Sequence, residues 1–156
     1  MKLFRTVFGA ALLVMCLDHA AMATTQNVIF NGTITATCTL VVGTNGTMTV
    51  SADLQSLSSH NSGGSAGTVT LTTTGGVSLS VDPVTLTTVP AADSTATTWT
   101  PTYSASGAHT TAETGATTAL TVPGADLVSV HLAGTKGGSN RFATGNYQAT
   151  VTLRCE

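Results

Sequence analysis

Charge is what this chain has least of: charged residues fill 8% of its 156 positions, and aromatic residues only 4%. Beyond residue 23 the basic side chains are Lys136, Arg141 and Arg154, set against Asp53, Asp82, Asp93, Glu113, Asp126 and Glu156. Three scattered cations cannot neutralise a run of phosphates or hold an anionic membrane surface, so nucleic-acid and polybasic lipid binding are excluded as function classes. Glu, Lys and Arg, the polar helix formers, are nearly missing, which excludes a helical bundle. No repeat of fixed length runs along the chain, so a solenoid or propeller is not expected. What is abundant is Thr, roughly a fifth of the sequence, with Ser and Gly behind it.

The first 23 residues differ from the rest. Lys2 and Arg5 precede an apolar run over 7–17, and Ala21-Met22-Ala23 is a small-x-small cleavage signal. The pattern predicts a secretory signal peptide over 1–23 and a single domain over 24–156. The apolar run is about half the length needed to span a bilayer, and Asp18 with His19 ends it. No membrane segment is therefore expected after cleavage. Cys16 invites a lipoprotein reading, but Met15 is larger than the residue such a site requires before Cys.

Loss of Cys16 with the leader leaves Cys38 and Cys155 in an oxidising compartment, and one pair allows one intramolecular connectivity. A disulfide tying the first strand to the last is expected. The competing reading is a catalytic or metal-binding thiol, but a metal needs more ligands than two cysteines at opposite ends of the chain.

Hydrophobic alternation with period two dominates the remainder. Val28 and Phe30 alternate in one register; Ile34, Ala36, Cys38 and Leu40 follow, between Thr33, Thr35, Thr37 and Thr39. Asn31-Gly32 separates the two sets where a bulge or bend can form. Asn45-Gly46 sits between two apolar runs and predicts a tight hairpin. Gly75-Gly76, between the alternating runs around Leu71 and Leu79, predicts a second. Residues 99–103 read as a short strand weakened by Pro101. Residues 104–118 hold little to bury, and are either a poorly patterned strand or a mobile loop. Val128, Val130 and Leu132 alternate with Leu127, Ser129 and His131. The cleanest strand comes last, with Tyr147, Ala149, Val151, Leu153 and Cys155 on one side. About seven to nine short strands without helical period describe an all-β sandwich or barrel. The sandwich is preferred because a bond between first and last strands suits an open two-sheet fold.

Chemistry-bearing residues are sparse. His60, His109 and His131 have no paired metal-ligand spacing, and His131 reads as a solvated strand histidine. Ser, His and Asp co-occur without a Gly-x-Ser-x-Gly elbow. Paired carboxylates for glycoside hydrolysis could only come from Asp53, Asp82, Asp93, Glu113 or Asp126, of which Asp82 and Asp126 read as turn residues. Asn31-Gly32-Thr33 and Asn45-Gly46-Thr47 match the N-glycosylation pattern but fall where bends are needed. Trp99 and Tyr103 are the one aromatic pair able to form a sugar-stacking platform, with burial in the core as the alternative. Tyr147, two residues after Gly145, can place its hydroxyl against nearby backbone as a tyrosine corner does. No catalytic residue, metal or cofactor is expected.

Two terminal motifs carry a family likeness. Val28-x-Phe30-x-Gly32-x-Ile34-x-x-x-Cys38-x-Leu40 and Gly145-x-Tyr147-x-Ala149-x-Val151-x-Leu153 resemble those of bacterial chaperone-usher pilin subunits, closest to the spore coat protein U-like branch. The resemblance implies an incomplete immunoglobulin-like sandwich completed by a strand from a chaperone or the next subunit. It implies a non-enzymatic, secreted subunit of a surface appendage or coat, passing through the periplasm to the cell surface or the extracellular medium. Its partners would be a periplasmic chaperone, an outer-membrane usher and copies of itself or related subunits. On this reading Val28 and Phe30 are the donor strand, and Tyr147, Ala149, Val151 and Leu153 the assembly edge. Two departures stand out. The family's second cysteine usually lies in the next strand, whereas here the partner is Cys155, at a penultimate position where an aromatic is common. If Val28 and Phe30 instead belong to the first strand, the subunit caps a fibre or acts alone. The alternative function is a stand-alone secreted module that binds carbohydrate or a surface ligand through Trp99 and Tyr103.

Overall fold

The computed structural model describes residues 24–156; the expected signal peptide over 1–23 lies outside them. Thr33–Glu156 forms one unit, and the described part of the other, residues 24–32, contains no strand and is exposed throughout. Within the described residues every regular element is a strand: β1 (Cys38–Thr44), β2 (Thr49–Val50), β3 (Ser56–Ser58), β4 (Gly67–Thr73), β5 (Val77–Val81), β6 (Leu86–Thr88), β7 (Thr97–Gly107), β8 (Thr111–Thr114), β9 (Thr118–Leu120), β10 (Gly124–Lys136), β11 (Gln148–Thr150) and β12 (Leu153–Cys155). The fold is all-β, as the composition and alternation require, built of several antiparallel sheets.

The thirteen-residue β10 is the spine of the larger sheet. Along one edge it pairs with β7 over its last eleven residues, from Asp126 opposite Gly107 to Lys136 opposite Thr97. Along the other it pairs first with β4 and then with β3. β1 adds to the far side of β4, β2 to β3 and β8 to β7. The last strands belong elsewhere: β12 pairs with β5, which also pairs with β9, and β11 pairs with β6. Pro101 is tolerated inside β7 because β8 pairs only from Tyr103 onward, so Pro101 interrupts no ladder on that edge.

The fully buried core is Leu71, Leu79, Tyr103, Leu120 and Val128, joined by Val69 and Ala105. Tyr103 reaches across it, with its hydroxyl 2.8 Å from the carbonyls of Leu79 and Ala116 and from Thr118 Oγ1. A buried hydroxyl left without partners would cost about 1–3 kcal/mol, so these acceptors fix where the ring sits. Cys38 and Cys155 form a disulfide, Cα to Cα 6.0 Å, across 117 residues of sequence. In the loop-closure model such a bond restricts the unfolded chain by on the order of 4–5 kcal/mol.

Four local expectations are corrected and one open alternative is decided. The first strand starts at Cys38; Ile34 stays outside it and is 84% exposed. Asn45-Gly46 does not close a hairpin, because β1 pairs with β4 and β2 with β3. Gly46 instead packs on the 65–67 backbone, where an added Cβ would lie 2.9 Å from the Gly67 nitrogen. Gly75-Gly76, at φ of 83° and 74°, carries the chain from β4 in one sheet to β5 in another rather than back along β4. Residues 104–118 contain the end of β7, all of β8 and the start of β9, so the poorly patterned strand is the correct alternative there. The clean final strand is broken into β11 and β12, which pair with different neighbours.

Candidate functional site

β1 and the final segment are both edges. Among the described residues β1 pairs only with β4, β11 only with β6 and β12 only with β5. The Cys38–Cys155 bond joins one end of β1 to one end of β12. From that staple the first strand runs away toward Thr44 while the last strand runs toward it from Tyr147. Between them lies a groove of about 680 Å³, walled by Leu40 and Val42 on one side and by Tyr147, Ala149, Val151 and Leu153 on the other, over a floor of Leu57, Val69, Val130 and Leu132.

The burial pattern follows from the groove. Alternation in the last segment survives its break: Tyr147, Ala149, Val151, Leu153 and Cys155 are half-buried and the residues between them exposed. None of the five is fully buried: Leu153 and Cys155 pack against the edge of the core, and Tyr147, Ala149, Val151 and Leu153 line the groove. Val42 continues the inward register of Cys38 and Leu40 yet is 68% exposed. All four residues expected at the assembly edge line one wall. The expected donor residues, Val28 and Phe30, lie outside β1, eight or more positions before its first residue, at 75% and 91% exposure.

One end of the last segment is anchored by a buried polar network. Lys136 Nζ lies 2.7 Å from Asp93 Oδ1 and donates to the Thr95 carbonyl at 2.7 Å, with both charged side chains essentially inaccessible. The Tyr147 hydroxyl sits 2.6 Å from Asp93 Oδ2 and 3.0 Å from the Ala143 carbonyl, the upstream backbone contact expected of a tyrosine corner. Phe142 packs edge-on against Tyr147, and Lys136 lies 4.9 Å above its ring. Burial pushes the Asp93 carboxyl up, but hydrogen bonds from Lys136, Tyr147 and Thr95 outweigh it and hold it at about 2. The Tyr147 phenol is pushed up to about 12, first by burial and then by its bond to Asp93. At the other end, Arg154 Nε lies 2.9 Å from both carboxylate oxygens of Asp82.

The remaining candidates separate. Tyr103 is a core anchor with no exposed face, so it shares no platform with Trp99, whose ring covers Gly134 on the neighbouring strand. Asp126 is a buried residue of β10 rather than a turn residue. It accepts the His109 backbone N–H at 2.7 Å and meets His109 Nδ1 at 2.8 Å. Asp82, Asp93, Glu113 and Asp126 each face a basic partner. His131 is not simply solvated, since the His60 ring stacks on it with centroids 3.9 Å apart and Glu113 lies beside them. Sequence reasoning missed that trio because its members stand 53 and 18 positions apart along the chain, and only sheet topology unites them.

No family model, curated protein or solved structure matches this chain. What the fold and the groove define is a class: an all-β sandwich-like protein with two edges, unpaired among the described residues, facing across a cleft of mixed apolar and polar lining.

Proposed function

We propose that this chain is a non-enzymatic structural subunit of a bacterial surface appendage or coat, assembled by β-strand complementation. The observation that carries this reading is the pairing, in one chain, of a groove with a row of aliphatic side chains along its wall and an apolar arm that joins no strand. The groove has backbone edges on both sides and an alternating row of half-buried side chains along one wall. The arm carries Val28, Phe30 and Ile34 in one alternating register, with Gly32 between the last two, each apolar side chain at least 75% exposed. An extended segment laid in the groove supplies the ladder hydrogen bonds that both edges lack and places alternate side chains in the cleft, which is how strand addition works. Burying each such side chain is worth about 1.5–3 kcal/mol. Inserted between two strands that run in opposite directions, the donor lies parallel to one and antiparallel to the other. The first partner on this reading is the arm of a second copy. A periplasmic chaperone strand would hold the same groove before assembly, and an outer-membrane usher would hand subunits on. Export by the leader fits the disulfide, which persists in oxidising compartments.

The test is light scattering on the oxidised mature protein, compared with a variant lacking residues 24–32. The reading expects multimers from the former and, from the latter, a monomer that binds a peptide of residues 24–37. A mature protein that stays monomeric, beside a truncated form that ignores the peptide, would falsify it.

A further inference from the structure

On the outer face of the larger sheet, a row of polar side chains crosses three strands. Glu113 of β8 receives the hydroxyl hydrogen bond of Thr102 on β7, and Thr102 is the register partner of His131 on β10. Past the opposite edge of β10, the turn after β3 brings Ser59 to 3.0 Å from His131 Nδ1. The same turn lays His60 over the His131 ring with an interplanar angle of 13° and sets His60 Nε2 2.9 Å from Glu113 Oε1. One donor atom from each of His60, Glu113 and His131 falls within 4.8 Å of the others.

The geometry points to a divalent transition-metal site, Zn²⁺ being the ion this donor set suits, with His60, Glu113 and His131 as ligands and a fourth position open to solvent. Two imidazoles and one carboxylate are a donor set that zinc accepts in four-coordinate sites. Zinc-ligand bonds of 2.0–2.2 Å at a tetrahedral angle separate donor atoms by about 3.3 Å. The 2.9 Å between His60 and Glu113 is close to that bite, and the His131 donor has at most about 1.5 Å to close. Supporting contacts are in place. Ser59 Oγ accepts the Leu132 N–H at 3.2 Å and is positioned to accept from His131 Nδ1, which leaves Nε2 as the ligand lone pair. The stack itself must open, because an imidazole lone pair lies in the ring plane and two parallel rings cannot both aim at one ion. His60, with its side chain 47% exposed on a turn, can rotate to do so. A bound ion would pin the 58–64 turn and the β7–β8 hairpin to β10.

The test is isothermal titration of Zn²⁺ into the disulfide-bonded protein, prepared without a polyhistidine tag, alongside H60Q, E113Q, H131Q and H109Q. We expect one ion per chain, at least tenfold weaker binding in each of the first three variants and no change in H109Q, whose ring is engaged by Asp126. Co²⁺ substitution should give visible absorption bands that H60Q abolishes. Should H131Q fail to fold, H60Q and E113Q decide the matter, since both side chains are exposed. No binding by the parent protein, or equal binding by H60Q and E113Q, overturns the assignment.

Discussion

The two ends of this sandwich are made of the same materials, Thr-rich strands with aliphatic residues at every second position, and only one end is tightly packed. Around Tyr103, residues from several strands meet: Leu71, Leu79, Leu120 and Val128 lose all contact with water. Around Val42 and Val151, side chains of the same types, in the same alternation, stay only partly buried, and Val42 is mostly exposed. Alternation decides which way a side chain points; whether it is buried depends on a second layer being there. The staple and the polar network mark the limits of the loosely packed end. Cys38–Cys155 joins its edges, and Asp93 with Lys136 holds Tyr147 in place.

That contrast can be broken from either side. The largest effect is expected from Lys136→Met, which strands the buried Asp93 carboxylate and should cost about 3–5 kcal/mol in denaturant unfolding. The tightly packed end should respond to Leu71→Ala with a loss of about 2–5 kcal/mol. Val151→Ala, the same kind of truncation at the loosely packed end, should cost the isolated subunit under about 1 kcal/mol and weaken assembly far more. Chemical denaturation read beside light scattering separates the two effects. Tyr103→Phe leaves its carbonyl acceptors dry and should cost about 1–3 kcal/mol without altering the oligomer.

The pH response belongs to the anchoring network. The Asp93 pKa in the folded protein, at about 2, lies below its ordinary value of 3.8. Its contribution is therefore complete above about pH 4 and is lost as pH falls from there toward 2. Unfolding curves between pH 5 and pH 2 should show that loss in the parent and a flatter profile in D93N, itself less stable at neutral pH.

Much of the fold was legible in the sequence because strand faces are written locally. The alternation of Val128 and Leu132 with Leu127 predicted which side of β10 is buried, and two cysteines left one possible bridge. Topology was harder, for a physical reason. Gly75-Gly76 and Asn45-Gly46 signal a change of direction, and nothing in a glycine pair says whether the next strand returns to the same sheet or crosses to another. Over 104–118 the sequence left strand and mobile loop open, because Thr, Ala and Ser at a sheet edge need bury little to pair. The groove was legible only as a likeness at the two termini, since an empty space has no residues of its own. The His60, Glu113 and His131 cluster was not legible at all: its spacing is a property of strands laid side by side.

Amide hydrogen exchange on the protein lacking residues 24–32, with and without a peptide of residues 24–37, tests the central claim most directly. The account predicts fast exchange at the unpaired amides of β1 and of residues 147–153 in the free protein. The peptide should slow them strongly and leave the β7 and β10 amides, already protected, unchanged. If those edge amides are protected without the peptide, or remain fast in its presence, the sandwich is already complete and complementation is not what the groove is for.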